Sequence, residues 1–236
     1  TINNCRFKEN SAKEKGGSIY INYETPTDVP LSITDCVFDK CEAKFGTFVY
    51  TKNCKLNLKY STFQNNPSNN YIYIEVNSEP VIDNCLFSHN SGSIKMLIPN
   101  GLRITNSKFS DSNTKGFLDT EQLESDAKFI FDNVTFEFSL DCCALDISKG
   151  EFEFNDCFFK NNTVKNQQAS AIYAHGEAKL ILKGCQFIGN KAEFRGGALR
   201  VEVPKFTFEN CVFVENECTN PSVSSEPASR GELLIS

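Results

Sequence analysis

Side chains able to do chemistry are plentiful in this 236-residue chain: eleven cysteines, two histidines and thirty aspartates and glutamates. Spacing decides what they can do. The adjacent Cys142 and Cys143 would point to opposite faces of a strand, and only His89 and His175 exist to complete a tetrahedral set. No metal and no other cofactor is therefore expected. His89 lies in a loop beside Asn90, and His175 follows Tyr173-Ala174; both read as solvated turn residues rather than catalytic bases. Glycoside hydrolysis needs two carboxylates facing one sugar ring. A lyase needs a carboxylate-held cation beside a basic residue. Asp119, Asp141 and Asp146 come nearest to such a cluster, but no Asp-Asp or Asp-Arg constellation stands out. The expectation is a protein that is not an enzyme.

The elements that must position these groups are set by an internal repeat. Ile82-Asp83-Asn84-Cys85-Leu86-Phe87-Ser88-His89-Asn90 shows its frame most clearly. Phe recurs at positions 7, 38, 63, 87, 109, 136, 159, 187 and 213, at intervals of 22 to 31 residues. That period suits a β-helix coil of three strands and their turns. Two residues before each Phe stands Cys5, Cys36, Ser61, Cys85, Ser107, Val134, Cys157, Cys185 or Cys211. Three residues after it stands a polar column: Asn10, Cys41, Asn66, Asn90, Ser112, Ser139, Asn162, Asn190 and Asn216. Earlier in each unit comes an apolar pair such as Leu56/Leu58, Phe152/Phe154 or Leu180/Leu182.

Residues two apart on a strand share a face, so each pair marks an inward side, and Cys and Phe mark another. The second member of the pair and the Cys are three apart, which reverses the parity. One straight strand cannot point all four inward, so the chain turns between them. The residue before the Cys column supplies the turn: Asn4, Asp35, Tyr60, Asn84, Asn106, Asn133, Asp156, Gly184 and Asn210. Eight of these nine are types that tolerate a left-handed backbone. A third strand follows a loop of varying length, as at Ile19-Tyr20-Ile21 and Leu199-Arg200-Val201.

The expected fold is all-β: a right-handed, single-stranded parallel β-helix, a solenoid of about nine coils of three strands, handed by the general preference for right-handed crossovers. It forms one unit over residues 1–236, with a loop insertion at 218–231, and reads as part of a longer chain. A leucine-rich repeat is the structural alternative, but its fixed Leu/Asn frame is missing. At ~4.8 Å per coil the rod would be about 43 Å long, with Phe on Phe, Cys on Cys and Asn on Asn.

Within that frame the cysteines read mainly as a ladder of buried thiols acting as small hydrophobes. In-register neighbours could meet the Cα separation of a disulfide, but parallel Cβ directions suit it poorly. If bridges form, Cys36–Cys41 and Cys211–Cys218 are the local pairs. Two glycosylation sequons begin at Asn133 and Asn161; Asn133 is the better candidate because a corner residue should point outward.

A net charge of −6 without Lys/Arg clusters argues against nucleic acid, and no run approaches the eighteen apolar residues of a membrane span. Phe-x-x-Asn occurs in full six times, beginning at Phe7, Phe63, Phe87, Phe159, Phe187 and Phe213. Gly196-Gly197-Ala198-Leu199 and Gly16-Gly17-Ser18-Ile19 accompany it, degraded elsewhere as in Lys115-Gly116-Phe117-Leu118. This pairing resembles the polymorphic outer membrane protein repeats of chlamydiae and pectin-lyase-like coils of protist surface proteins. The resemblance implies a structural or adhesive module at the cell surface or outside the cell. Its expected partners are other segments of the same longer chain, neighbouring surface proteins or glycans. Two other classes stay open: a carbohydrate-binding or polysaccharide-cleaving β-helix, with Tyr20, Tyr50 and Tyr73 lining one face, and an intracellular scaffold with reduced thiols.

Overall fold

The computed structural model describes residues 1–67, 70–75, 79–97, 100–112, 116–119, 127–165, 169–219 and 233–235. Among them are strands and no helix, and every strand pairing is parallel. The Phe side is a nine-stranded sheet running from Arg6–Lys8 through Val37–Asp39 and Thr135–Glu137 to Val212–Val214. Its register sets each Phe on the next: Phe7 on Phe38, Phe109 on Phe136, Phe187 on Phe213. Along this column the tightest ring centroids are 4.6 Å apart and the widest 5.3 Å, tilted by no more than 13°. Offset aromatic stacking adds to the area each ring removes from water.

The expected nine coils resolve into about seven enclosed turns. Seven of the nine rings, from Phe38 to Phe187, are no more than 1% exposed, whereas the terminal Phe7 and Phe213 are half-buried. Those two rings stack on Phe38 and Phe187 respectively.

The apolar pairs form the second side, a twelve-stranded sheet that includes Gly101–Thr105, Lys128–Asp132, Glu151–Asn155 and Lys179–Lys183. Phe129 stacks on Phe152 and Phe131 on Phe154 there. The separate third strand expected in each coil is absent from the early turns. Ile19–Thr34 and Val49–Lys59 each run unbroken from the third side into the second, with register shifts near Thr27 that absorb the extra residues. Later third strands, Leu145–Ile147, Ile172–Ala174 and Leu199–Val201, form a sheet of their own with Leu233–Ile235. A short fourth side, Thr163–Val164, Lys191–Ala192 and Glu217–Cys218, was not expected. Cys218 therefore ends a strand rather than opening a loop, and the remainder of the expected insertion, 220–231, lies outside the described residues.

All nine corner residues before the Cys column have positive φ, between 49° and 64°. A second left-handed corner escaped the sequence reading. Glu9, Lys40, Asn65, His89, Asp111, Phe138, Asn161, Gly189 and Glu215, each just before the Asn column, also have positive φ. The Gly-Gly motif has two separate reasons: Gly16 takes φ +62°, and a Cβ on Gly17 would collide with the Thr47 carbonyl oxygen of the next coil. Tyr60 is the one corner of the first set that pays the steric cost of a left-handed side chain while remaining exposed. Tyr60→Asn should therefore raise stability by about 1 kcal/mol, read as a higher urea midpoint. An unchanged or lower midpoint would mean that the Tyr60 ring contributes contacts that offset the strain.

Behind the second corner the Asn column is buried and bonded from coil to coil. Asn190 accepts the Asn162 backbone N–H at 3.1 Å and donates through Nδ2 to the Phe159 carbonyl at 2.9 Å. Asn216 repeats both contacts one coil later, to Asn190 and Phe187. Side-chain amides thus satisfy backbone groups that a left-handed corner takes out of the sheet ladder.

Candidate functional site

The cysteine column does more than fill space. Cys36 donates its thiol to the Thr34 carbonyl at 3.1 Å, and Cys85 to that of Asp83 at 3.4 Å. Ser61 and Ser107 do the same toward Lys59 and Thr105, at 2.8 and 2.7 Å. A hydrogen-bonding side chain is what the column mostly holds, which explains why Cys and Ser interchange there. Burial pushes the Cys85 thiol up to about 12, so it stays protonated as a donor. None of the eleven cysteines is joined in a disulfide. Cys36 and Cys41 occupy different columns on either side of Phe38, and the Cys41 thiol meets the Ser18 hydroxyl at 3.0 Å. Cys211 belongs to the same column as Cys36, whereas Cys218 lies on the fourth side in register with Ala192.

Asn133 and Asn161 are both exposed corner residues, with φ of 54° and 53°. Asn133 donates through Nδ2 to Asn106 Oδ1 at 3.0 Å. An open groove of about 520 Å³ along the fourth side is lined by Thr163, Lys165, Lys191, Glu193 and Thr219, among others.

The three tyrosines expected to line an open face do stack, Tyr20 on Tyr50 and Tyr50 on Tyr73, each at 5.3 Å. They do not form an open platform. Tyr20 is 49% exposed, but Tyr50 is covered by Lys15, whose ammonium lies 4.5 Å from the ring centre, and Tyr73 packs against Phe45. Burial, aided by Glu75, pushes the Tyr50 hydroxyl up.

Asp119 and Asp146 stand on strands that touch, Leu118–Asp119 and Leu145–Ile147, whereas Asp141 lies on neither. Asp119 pairs with Lys95 at 2.8 Å, Asp141 occupies a left-handed corner, and Asp146 bonds to His175 Nε2 at 2.9 Å. His89 is the solvated corner residue expected, 3.8 Å from Asp111. His175 is not. Its ring stacks on Tyr173 at 4.5 Å, and successive rungs of the third side bring it to Asp146 from 29 residues away.

On the next rung Arg200 lies over the Tyr173 ring at 5.2 Å and pairs with Glu202, which accepts the Tyr173 hydroxyl at 2.8 Å. Asp146, Tyr173, His175, Arg200 and Glu202 thus form one linked set of chemically capable side chains. Burial and the bond to Glu202 hold the Tyr173 hydroxyl up. Burial alone would raise the Glu202 carboxyl, but Tyr173 and Arg200 outweigh it and keep Glu202 below its ordinary value. Arg200 is 7% exposed, and its Nε and Nη1 are buried without a hydrogen-bond partner. Only register assembles this set; the one sequence signal was that His175 follows a third-side strand. Among the described residues no three His, Cys, Asp or Glu side chains are arranged to hold a metal ion.

The second side carries ion pairs that run along the rod. Lys128 and Lys179 flank Glu151 at 3.3 and 2.8 Å, and Lys183 meets Glu153 at 3.1 Å. The Lys179 and Lys183 ammoniums hold the Glu151 and Glu153 carboxyls below their ordinary 4.5. A carboxyl depressed on folding contributes stability above its unfolded pKa and loses it as pH falls through the folded value. The urea midpoint should therefore drop below pH 4.5, and Glu151→Gln combined with Glu153→Gln should flatten that drop. An identical acid profile in the double variant would assign it to other carboxyls.

These rungs, columns and corners define a parallel β-solenoid whose repeated residues face inward. A family model described as right handed beta helix region matches residues 47–191 and 121–232. The chain belongs to this family and is a right-handed parallel β-helix repeat protein. No curated protein and no solved structure matches it. No helix among the described residues is long and apolar enough to cross a membrane.

Proposed function

We propose that this β-helix is a non-enzymatic structural or adhesive module displayed at the cell surface or outside the cell, of the kind found in polymorphic outer membrane protein-like and pectin-lyase-like coils. One observation carries the reading. Many outward charged side chains among the described residues are tied to a neighbour one coil along the rod, as in Lys128–Glu151–Lys179, Lys95–Asp119 and Arg103–Asp132. Such lateral ladders stiffen a rod and leave its faces as recognition surface, for neighbouring surface proteins, other segments of a longer parent chain or glycans. The exposed sequon at Asn133 fits display outside the cell.

The test joins a glycan array to a turnover assay on neutral and acidic polysaccharides, with glycan mapping at Asn133 and Asn161 on protein from its native cells. Binding without product release, together with a glycan at Asn133, is the expected result. Release of shortened or unsaturated sugars would overturn the non-enzymatic part, and protein confined to the cytosol would overturn surface display.

A carbohydrate-active reading has one specific observation in its favour: the unpartnered buried donors of Arg200 beside Tyr173 and His175. It predicts that His175→Ala and Arg200→Lys abolish a measurable sugar interaction, whereas Tyr20→Ala does not.

A further inference from the structure

We propose that Asn161 carries an N-linked glycan whose first sugar, an N-acetylglucosamine, seats on the exposed Phe138 and Leu140 of the preceding coil. The inference rests on the proposed display outside the cell and deepens it, by giving one attached sugar a place in the folded rod.

Asn161 and Thr163 are the two ends of the sequon Asn161-Asn162-Thr163. Register sets each of them against one apolar side chain. The Phe138 backbone N–H bonds to the Lys160 carbonyl, continuing the pairing of Glu137 with Lys160, so Phe138 stands beside Asn161 on the next coil. Leu140 pairs with Thr163 in the same way. Phe138 is 41% exposed and Leu140 50%. Single exposed apolar residues are ordinary on a protein surface. These two are unusual for their columns. Glu9, Lys40, Asn65, His89, Asp111 and Glu215 make the same corner as Phe138, and Glu42, Lys191 and Glu217 align with Leu140. An apolar patch therefore replaces polar residues in the coil directly before the sequon.

The Asn161 amide is free to hold the sugar. A Cβ on Gly189, the matching corner of the following coil, would lie 2.7 Å from Asn161 Oδ1. Oδ1 is thus the arm turned toward that coil, and Nδ2 is the arm turned away from it. Asn161 Nδ2 makes no hydrogen bond among the described residues, whereas Asn133 Nδ2 is committed to Asn106. A pyranose has an apolar C–H face, and laying it on Phe138 removes apolar area of both from water.

The linkage is a transfer without oxidation. The secretory pathway supplies an oligosaccharide on a lipid pyrophosphate. Asn161 Nδ2 bonds to the anomeric carbon of its N-acetylglucosamine, and the bond from that carbon to the pyrophosphate oxygen breaks. The lipid pyrophosphate leaves with the electron pair, and the amide gives up one proton. Attachment precedes folding, because Asn162, between the two ends of the sequon, is fully buried afterwards.

The experiment makes the 236-residue chain twice with Asn133→Asp, once secreted from eukaryotic cells behind a leader and once unglycosylated in bacteria. Asp35 and Asp156 already occupy that corner, so the background should fold. The secreted protein is trimmed to its first N-acetylglucosamine. Mass mapping should find Asn161 occupied, and the trimmed protein should show a urea midpoint about 0.2 M or more above the bacterial one. Phe138→Asn in both preparations should erase that difference; Asn65 and Asn161 already take this left-handed corner. An empty Asn161, equal midpoints, or a difference that survives Phe138→Asn would overturn the proposal. The leader imposes secretion, so such a failure counts against the sugar's seat, while the location of the protein in its native cells decides surface display separately.

Discussion

Phe136→Ala should lower stability by about 3–5 kcal/mol, the usual cost of truncating a buried phenylalanine when its surroundings cannot collapse. Collapse is blocked here from several directions. Phe109 and Phe159 stack on Phe136 at 5.3 and 5.0 Å, while Phe131 and Phe154 meet it edge-on at 5.8 and 6.4 Å. Each of those rings is held by its own coil. Phe158, the outward neighbour of Phe159, supplies the control. It lies on the outer face beneath the Lys160 ammonium, and its truncation should cost less than about 1 kcal/mol. Urea unfolding of both variants checks the pair. Equal losses would mean that the Phe column is not what holds the coils together.

Asn190→Leu should cost at least about 3 kcal/mol although it keeps the branched shape, because it strands buried polar groups and overfills a fully buried site. The Asn162 backbone N–H loses its acceptor, the Phe159 carbonyl loses its donor, and the bond to Asn216 Oδ1 disappears. Asn162 and Asn190 are fully buried, so water does not replace these partners without opening the coil. Asn190→Ser should be milder, since Ser112 and Ser139 already stand in this column. If Leu proves as stable as Ser, the ladder is space-filling and its hydrogen bonds contribute little.

Much of this architecture is legible in the sequence. The three-residue gap between the apolar pair and the Cys column forces a change of face, and a run of Asn, Asp and Gly marks where it happens. Even Tyr60, which breaks the composition, obeys the geometry. The second corner was not legible, because Glu9, Lys40, His89 and Phe138 carry no shared preference for a left-handed backbone. After His89, Asn161, Gly189 and Glu215 the next residue's buried amide reaches the carbonyl of Phe63, Phe136, Phe159 and Phe187 one coil back, whereas Lys40 and Phe138 make the same corner before Cys41 and Ser139. The cysteine column was half legible: its inward position followed from spacing, its role as a donor only from the carbonyls it meets.

The sequence by itself determined the repeat, the inward columns and the first corner, because these follow from side-chain alternation and single-residue backbone preference. Tertiary structure alone decided which outer residues meet. Loops between Phe strands vary in length, so sequence distance does not reveal which third-side residues stack; hydrogen-bond register does. That register carries His175 across 29 residues to Asp146 and lays Arg200 over Tyr173. It fuses two sides into one strand in the early turns and adds a fourth side in the later ones. The core of this β-helix is written in local pattern, and its outer face is fixed only when coils lock together.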